Sequence, residues 1–359
     1  MPQATEQKGE PSSPLRVAVI GCGAATRIYA GPALALLENE GLVRVTSLFD
    51  PVTSSVESVQ ALMRSATPAP SLDAALDQAD LAVIASPSAL HASHSTVALQ
   101  RGVHVLCEKP MALKLTEAED LVATAEARGR LLAVGLIRRH LPAPQAIKAL
   151  LAGGTLGELR SVCWFEGGVF EWPVASASYF STEQSGGGVL QDIGTHALDL
   201  LNWWLGRSDI VEYSDDAMGG VEANALLRLR CAGADVQMRL SRDWARPNRV
   251  TIQGDLGSIT WEINEPLTLE LEMRGSPPGL ITLDDGSGGN TSFVSTYAAQ
   301  IRDVIDALRS GHAPAVPGTV GRNVCALIEE CYRNRKSLEM PWFSIDEQSR
   351  AVSLTGDPR

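Results

Sequence analysis

Three short stretches carry residue types suited to moving protons and hydrides. In the first, Val17-Ala18-Val19-Ile20-Gly21-Cys22-Gly23 runs a β-branched segment into two glycines that permit a tight turn and the close approach of a phosphate to backbone. In the second, Glu108-Lys109-Pro110 follows the apolar run Val103-His104-Val105-Leu106-Cys107, placing an amine at the strand end where ligands bind in open parallel sheets. In the third, Gly186-Gly187-Gly188 leads into Asp192, His196 and Asp199, spaced four and three apart and therefore on one face if the segment is helical. An imidazole there has a pKa suited to taking a proton near neutrality, and a neighbouring carboxylate orients it and stabilises its charged form. A lysine ammonium can grip the oxygen of an alcohol, so the set points to hydride transfer between a nicotinamide and a hydroxyl-bearing substrate.

Each residue also has a plainer reading. A lone histidine is usually a satisfied core residue, Asp192 can cap a helix, most lysines are solvated, and an aspartate before proline, as in Asp50-Pro51, forms turns. Grouping tips the balance towards chemistry, because the glycines, Asp192 and His196 share one segment downstream of a nucleotide-binding pattern. Asp199 is the exception, expected to bond backbone or a neighbouring side chain.

The elements that position these groups are readable from periodicity. Strands are expected at 15–20, 43–49, 81–85, 103–107 and 131–136, and helices at 24–37, 52–64, 72–78, 90–101 and 116–128, which is the alternation of a parallel sheet. Ala24 and Ala25 then open the helix whose N-terminus faces the phosphate, with Pro32 interrupting it or marking its restart. Asp50 closes the second strand where ribose hydroxyls would sit. A carboxylate there repels a 2′-phosphate, and Pro51-Val52-Thr53-Ser54-Ser55 offers no arginine for one, so NAD is expected over NADP. Beyond Leu136 the texture changes: Val236, Met238 and Leu240 alternate with polar residues, as do Leu267, Leu269, Leu271 and Met273, giving one-sided sheet. Tyr297, Ile301, Val304, Ile305 and Leu308 recur at helical spacing, closed by Gly311. The expected plan is a tail over 1–14, a Rossmann domain over 15–137, an α+β substrate-binding and oligomerisation domain over 138–345 and a tail over 346–359, with 284–290 a Gly/Ser loop.

Composition narrows the partners. With 42 acidic and 30 basic residues the net charge is −12, which works against phosphate-backbone binding, so no nucleic-acid partner is expected. No apolar stretch reaches the roughly 18 to 20 residues that span a bilayer, and the polar stretch Met1 to Pro14 has no signal-peptide core, so a cytoplasmic chain without a membrane partner is expected. Six scattered cysteines without Cys-x-x-Cys spacing read as free thiols, and His91 with His94 lacks the companions of a metal site, so no metal is expected.

Taken together, Gly21-Cys22-Gly23, Ser86-Pro87 with His91, Cys107-Glu108-Lys109-Pro110, Gly135 with Arg138-Arg139, and 186–199 with Asp192, His196 and Asp199 resemble the Gfo/Idh/MocA oxidoreductase family over roughly 15–343. The resemblance implies a Rossmann domain followed by a domain with a large open, mostly antiparallel sheet, through which dimers or tetramers form. It implies that Lys109 contacts nicotinamide and substrate, that His196 is the acid/base, and that Asp192 binds substrate and supports the histidine. Glu108 would help hold the cofactor, together with Ser86, Pro87, His91 and Pro110, and a cis bond before Pro110 fits the pattern. Two positions depart from it: Thr26 stands where a third glycine is usual, and His140 replaces an aromatic residue after Arg139.

The expected reaction interconverts a secondary alcohol and a ketone on a sugar, sugar derivative or cyclitol, with Lys109 lowering the hydroxyl pKa and His196 removing its proton directly or through Asp192. Arg139, Trp172, Trp164 and Glu166, with Phe170, Glu171, Tyr179 and Arg242, are the rings and polar groups suited to such a substrate. Two alternatives remain open: a dinucleotide-binding sensor without catalysis, and an enzyme that oxidises its substrate transiently with bound NAD to drive elimination or hydrolysis.

Overall fold

The computed structural model describes residues 13–63, 65–173, 177–243, 248–284 and 292–338. The tails expected at 1–14 and 346–359 and the loop at 284–290 therefore lie wholly or almost wholly outside it.

Residues Val17 to Ile20 show why the first strand forms where it does. All four are fully buried, yet Ala18 and Ile20 join one apolar core while Val17 and Val19 join another. A strand covered on both faces needs an unbroken apolar run, and this one is the centre of a parallel sheet. Burial of each of the two valines and the isoleucine contributes about 1.5–3 kcal/mol.

Around β1 (Leu15–Ile20) the chain alternates α1 (Gly31–Asn39), β2 (Val43–Phe49), α2 (Thr53–Gln60), β3 (Thr67–Pro68), α3 (Leu72–Leu76), β4 (Leu81–Ile84), α4 (Ser88–Gln100), β5 (His104–Cys107), α5 (Leu115–Arg128) and β6 (Leu132–Val134). Among the described residues the sheet order is β3-β2-β1-β4-β5-β6, parallel throughout. The order reverses between β1 and β4, which is where a dinucleotide crevice opens in such sheets. Pro32 does not end the first helix. A π turn at Thr26–Ala30 precedes it, and Gly31 donates to Thr26 O, so the ladder is already widened where proline lacks its N–H.

The second sheet uses β7 (Leu159–Gly167), β8 (Ser208–Asp215), β9 (Asn224–Cys231), β10 (Ala234–Ser241), β11 (Arg249–Gly254), β12 (Gly257–Glu262), β13 (Thr268–Met273), β14 (Gly279–Thr282) and β15 (Arg335–Ser337). Its described order is β14-β13-β12-β11-β7-β10-β9-β8-β15, antiparallel except at β7/β10 and β8/β15. Helices α6 (Pro142–Ala152), α7 (Thr182–Ser185) and α8 (Thr195–Leu205) belong to this half, and Trp164, Trp204 and Trp261 pack together in its core. The last helices, α9 (Phe293–Ser310) and α10 (Gly318–Arg333), pack back on the first domain. Ile301, Val304 and Ile305 share a core with Ala33, Leu34 and Leu37, and Val134 N–H donates to Val316 O at 3.0 Å. The returning helices therefore hold the two sheets together along the site.

Gly21 sits at φ +100°, and a Cβ there would lie 2.4 Å from the Ala85 carbonyl and the Ser86 nitrogen. Gly21→Ala is expected to cost about 1–3 kcal/mol of unfolding free energy from backbone strain and to weaken NADH binding, read by urea denaturation and nucleotide fluorescence titration. Wild-type values in both would contradict this account of the turn.

Candidate active site

The glycine turn is braced from three sides. Gly21 N–H donates to Phe49 O at 2.8 Å, the Thr26 hydroxyl donates to Gly21 O at 2.6 Å, and Asp50 Oδ2 accepts Cys22 N–H at 2.8 Å. The hydroxyl at the third-glycine position thus stiffens the turn. Asp50 Oδ1 also accepts Val52 N–H at 2.8 Å, the turn-forming role that is the plainer reading for this residue, and its remaining lone pairs are free for hydroxyl donors. Gly23 faces open space on its Cβ side, with Ala24 and Ala25 starting the helix behind it, so the turn fits a dinucleotide pyrophosphate.

A second brace joins the loops after β4 and β5. The His91 ring, 2% exposed, lies 2.7 Å from Ser86 O and 2.7 Å from Pro110 O, linking the Ser86-Pro87 corner to the Lys109-Pro110 bond, which is cis. Glu108 accepts Lys109 N–H at 3.2 Å and a hydrogen bond from Tyr297 of α9. Burial pushes its carboxyl pKa up, while Lys109 and Tyr297 work against that rise. Gly135 leaves room for Glu108, because a Cβ there would stand 2.8 Å from Glu108 Oε2.

Lys109 then reaches across to the second domain. Its Nζ donates to Asp192 Oδ1 and, at 3.3 Å, to Asp192 O. Asp192 Oδ2 accepts from the Tyr179 hydroxyl at 2.5 Å and pairs with Arg242, which also donates to Tyr179 at 3.0 Å and stands 4.9 Å over the Phe170 ring. Burial pulls the Lys109 pKa down to about 8; Arg242 and Arg138 add to the fall, and Glu108 and Glu166 oppose it. The amine therefore exchanges its proton close to physiological pH.

His196 opens onto the same charges but differs from expectation. Asp192 spends its carboxylate on Lys109, Tyr179 and Arg242, and His196 Nδ1 is buried without a hydrogen-bond partner. Burial, then Lys109, then Arg138 hold its pKa well below 6.5. The ring is a neutral imidazole near neutrality, and among the described residues no hydrogen bond to Nδ1 stabilises an imidazolium.

The spacing of Asp192, His196 and Asp199 also divides. A π turn at Leu190–Gly194 precedes α8 and resets the helical phase, so Asp192 faces Lys109 while Asp199, 1% exposed, faces inward. There it receives Arg139 Nε at 3.0 Å and Nη2 at 2.6 Å, while Arg139 Nη1 donates to Ala315 O at 3.2 Å. Arg139, expected to bind substrate, has its donors committed to this buried pair. The residue before it takes a different direction, because neighbours in the 3-10 turn Ile137–His140 diverge by about a third of a turn. Arg138 forks onto Glu166, which also accepts the Trp164 indole N–H at 3.1 Å, and it is Arg138 whose charge acts on Lys109 and His196. The Arg138-Arg139 doublet was the available signal, and only the register of the turn says which guanidinium faces the cleft. Trp172 stacks on Tyr29 at 5.9 Å, in an aromatic group with Phe293 and Tyr297, apart from the Phe170, Tyr179 and Arg242 group around Asp192. Glu171 is exposed.

The model of the oxidoreductase family with an NAD-binding Rossmann fold matches residues 15–136, and that of the GFO/IDH/MocA C-terminal domain matches 145–260. A dTDP-3,4-didehydro-2,6-dideoxy-alpha-D-glucose 3-reductase from Actinomadura kijaniata is 30% identical over 259 residues, covering 69% of this chain and 74% of the relative. This chain belongs to the Gfo/Idh/MocA family. A scyllo-inositol 2-dehydrogenase (NADP(+)) from Bacillus subtilis is 27% identical over 355 residues, covering 90% of this chain and 94% of the relative. In structure, levoglucosan dehydrogenase in complex with NADH and levoglucosan superposes with a TM-score of 0.81 at 18% identity, covering 89% of this chain and 96% of that one. Family membership makes the chain an NAD(P)-binding oxidoreductase, with the two-domain fold described above.

Asp199→Asn leaves the buried Arg139 cation without its counter-ion, and an expected loss of about 3–5 kcal/mol in urea denaturation follows. A change below about 1 kcal/mol would return Arg139 to the list of substrate ligands.

Proposed function

We propose that the chain interconverts a secondary alcohol and a ketone on a sugar, sugar derivative or cyclitol, using NAD in preference to NADP. The observation that carries this reading is the contact of Lys109 Nζ, just beyond the end of β5, with Asp192, close to the neutral His196. The glycine turn would hold the pyrophosphate of the dinucleotide, with Asp50, Ser86, Pro87, His91, Glu108 and Pro110 shaping the site, and its nicotinamide would supply the hydride acceptor or donor beside Lys109.

In the oxidation direction the neutral Lys109 amine accepts the hydroxyl proton, and His196 hydrogen-bonds the same oxygen as an uncharged imidazole. In reduction the Lys109 ammonium delivers its proton to the carbonyl oxygen. This assigns the proton to Lys109 and orientation to His196, because burial first, and then the charges of Lys109 when protonated and of Arg138, disfavour an imidazolium. Asp192 holds the amine, and Tyr179 and Arg242 fix the carboxylate. Phe170 and Tyr179 offer faces for the C–H surface of a pyranose or cyclitol, with Arg138 and Arg242 as donors to its hydroxyls. Substrate names among the relatives favour this class, and the Asp50 carboxylate favours NAD, although relatives are named or solved with NADP(+) and with NADH.

The outward face of the second sheet, carrying Cys163, Phe165 and Leu226, is the surface we assign to a homodimer or homotetramer, and the six unpaired thiols favour a reducing cytoplasm. Sedimentation equilibrium at the monomer mass would remove the assembly.

A panel of sugars, sugar nucleotides and cyclitols, followed at the NADH and NADPH absorbance, is expected to give turnover, faster with NAD(H). Binding of nucleotide with no turnover across the panel would instead support a sensor. For an active substrate, oxidation kcat/KM is expected to rise to a plateau above about pH 8 and reduction kcat/KM to fall above it, following Lys109. The inflection should persist in His196→Asn and vanish in Lys109→Met, whose kcat falls about 10²- to 10⁴-fold. An inflection between pH 6 and 7 that disappears in His196→Asn would give the proton back to the histidine.

A further inference from the structure

We infer that Glu222 and Tyr332 are positioning residues for this reaction, forming a buried clamp that sets where Asp192 stands relative to Lys109. The inference rests on the reading of Lys109 and Asp192 given above.

The segment that carries Asp192 lacks a cap of its own. A helix start leaves backbone N–H groups without partners, and no side chain local to Leu190–Gly194 supplies one. Glu222, 32 residues downstream and 1% exposed, fills the role. Its Oε1 accepts Leu190 N–H at 3.0 Å and its carbonyl oxygen accepts Val189 N–H at 2.9 Å. The Tyr332 hydroxyl, from α10, donates to the same Oε1 at 2.8 Å. Arg335 stands 4.8 Å over the Tyr332 ring and 3.8 Å from Glu222 Oε2, an oxygen buried without a hydrogen bond.

The clamp accounts for the glycine run. A Cβ on Gly188 would lie 1.9 Å from the Glu222 carbonyl oxygen, and one on Gly187 would lie 1.9 Å from the Tyr332 hydroxyl. These two glycines therefore give way to protein groups. Asp192 follows Leu190 by two residues, with its own N–H on Gly188 O at 3.1 Å, so a shift of the clamped turn moves the carboxylate directly. Tyr332 belongs to the helix that packs on the first domain, and it thereby references the position of Asp192 to the domain that holds Lys109.

The test compares Tyr332→Phe, Glu222→Ala and the near-isosteric Glu222→Gln, whose amide oxygen still accepts Leu190 N–H. Tyr332→Phe and Glu222→Ala are expected to lower kcat about 10- to 100-fold, as displacements near 1 Å do, with the NADH dissociation constant within about twofold of wild type and most of the rate restored in Glu222→Gln. A readout independent of turnover is the Lys109 titration, followed by competitive acetylation and mass spectrometry. It should move downward from its wild-type value in Tyr332→Phe as the Asp192 contact loosens and an opposite charge is lost. Should Glu222→Ala fail to fold, Tyr332→Phe decides. Unchanged kcat and an unchanged Lys109 titration in Tyr332→Phe, with only a lower unfolding midpoint, would overturn the clamp. A wild-type protein inactive on every substrate would sink the proposed reaction, and the labelling would still judge the clamp.

Discussion

An amine and a carboxylate from positions 83 residues apart meet in a partly buried cleft, and the arrangement of the two domains is organised around that meeting. Removing either ion from water costs several kcal/mol, which the partner and its further hydrogen bonds must offset. Asp192 receives Tyr179 and Arg242 besides Lys109, so its lone pairs are satisfied, while Lys109 has burial and two guanidinium groups pressing on its charge. The outcome is an amine whose proton is loosely held. Such a group can both give and take a proton near neutrality, which a solvated lysine cannot.

Both ends of the contact are held by groups distant in sequence. On the first domain, the His91 ring ties the corner after β4 to the cis Lys109-Pro110 bond, and Tyr297 from α9 reaches Glu108. On the second, the helix of Asp192 begins under Glu222 and Tyr332, and Arg139 with Asp199 fixes its far side. The returning helices α9 and α10 touch both halves. They make the distance between Lys109 and Asp192 a property of the folded chain as a whole.

What the sequence showed, it showed through local pattern. The run Leu15 to Ile20 read as a two-faced strand because every residue from Val17 on is apolar, and 24–37 read as a helix behind the glycine turn. Glu108-Lys109-Pro110 and the Asp192/His196 spacing marked both halves of the site because each is a compact signature. The rest depended on neighbours that arrive from elsewhere. Whether Arg138 or Arg139 faces the cleft is decided by the register of one 3-10 turn, and the state of His196 by its burial and by cations 58 and 87 positions away. The glycines at 187 and 188 make room for Tyr332 and Glu222, whose roles leave no trace in local sequence.

A double-mutant cycle on hydride transfer tests the central contact most directly, using Lys109→Met, Asp192→Asn and the double variant with deuterated substrate. If the two groups act as one unit, the double variant is expected to be about as slow as the slower single variant, a coupling of about 1–3 kcal/mol. Rate losses that multiply without coupling would mean that Lys109 and Asp192 act independently, and the account built on their contact would be wrong.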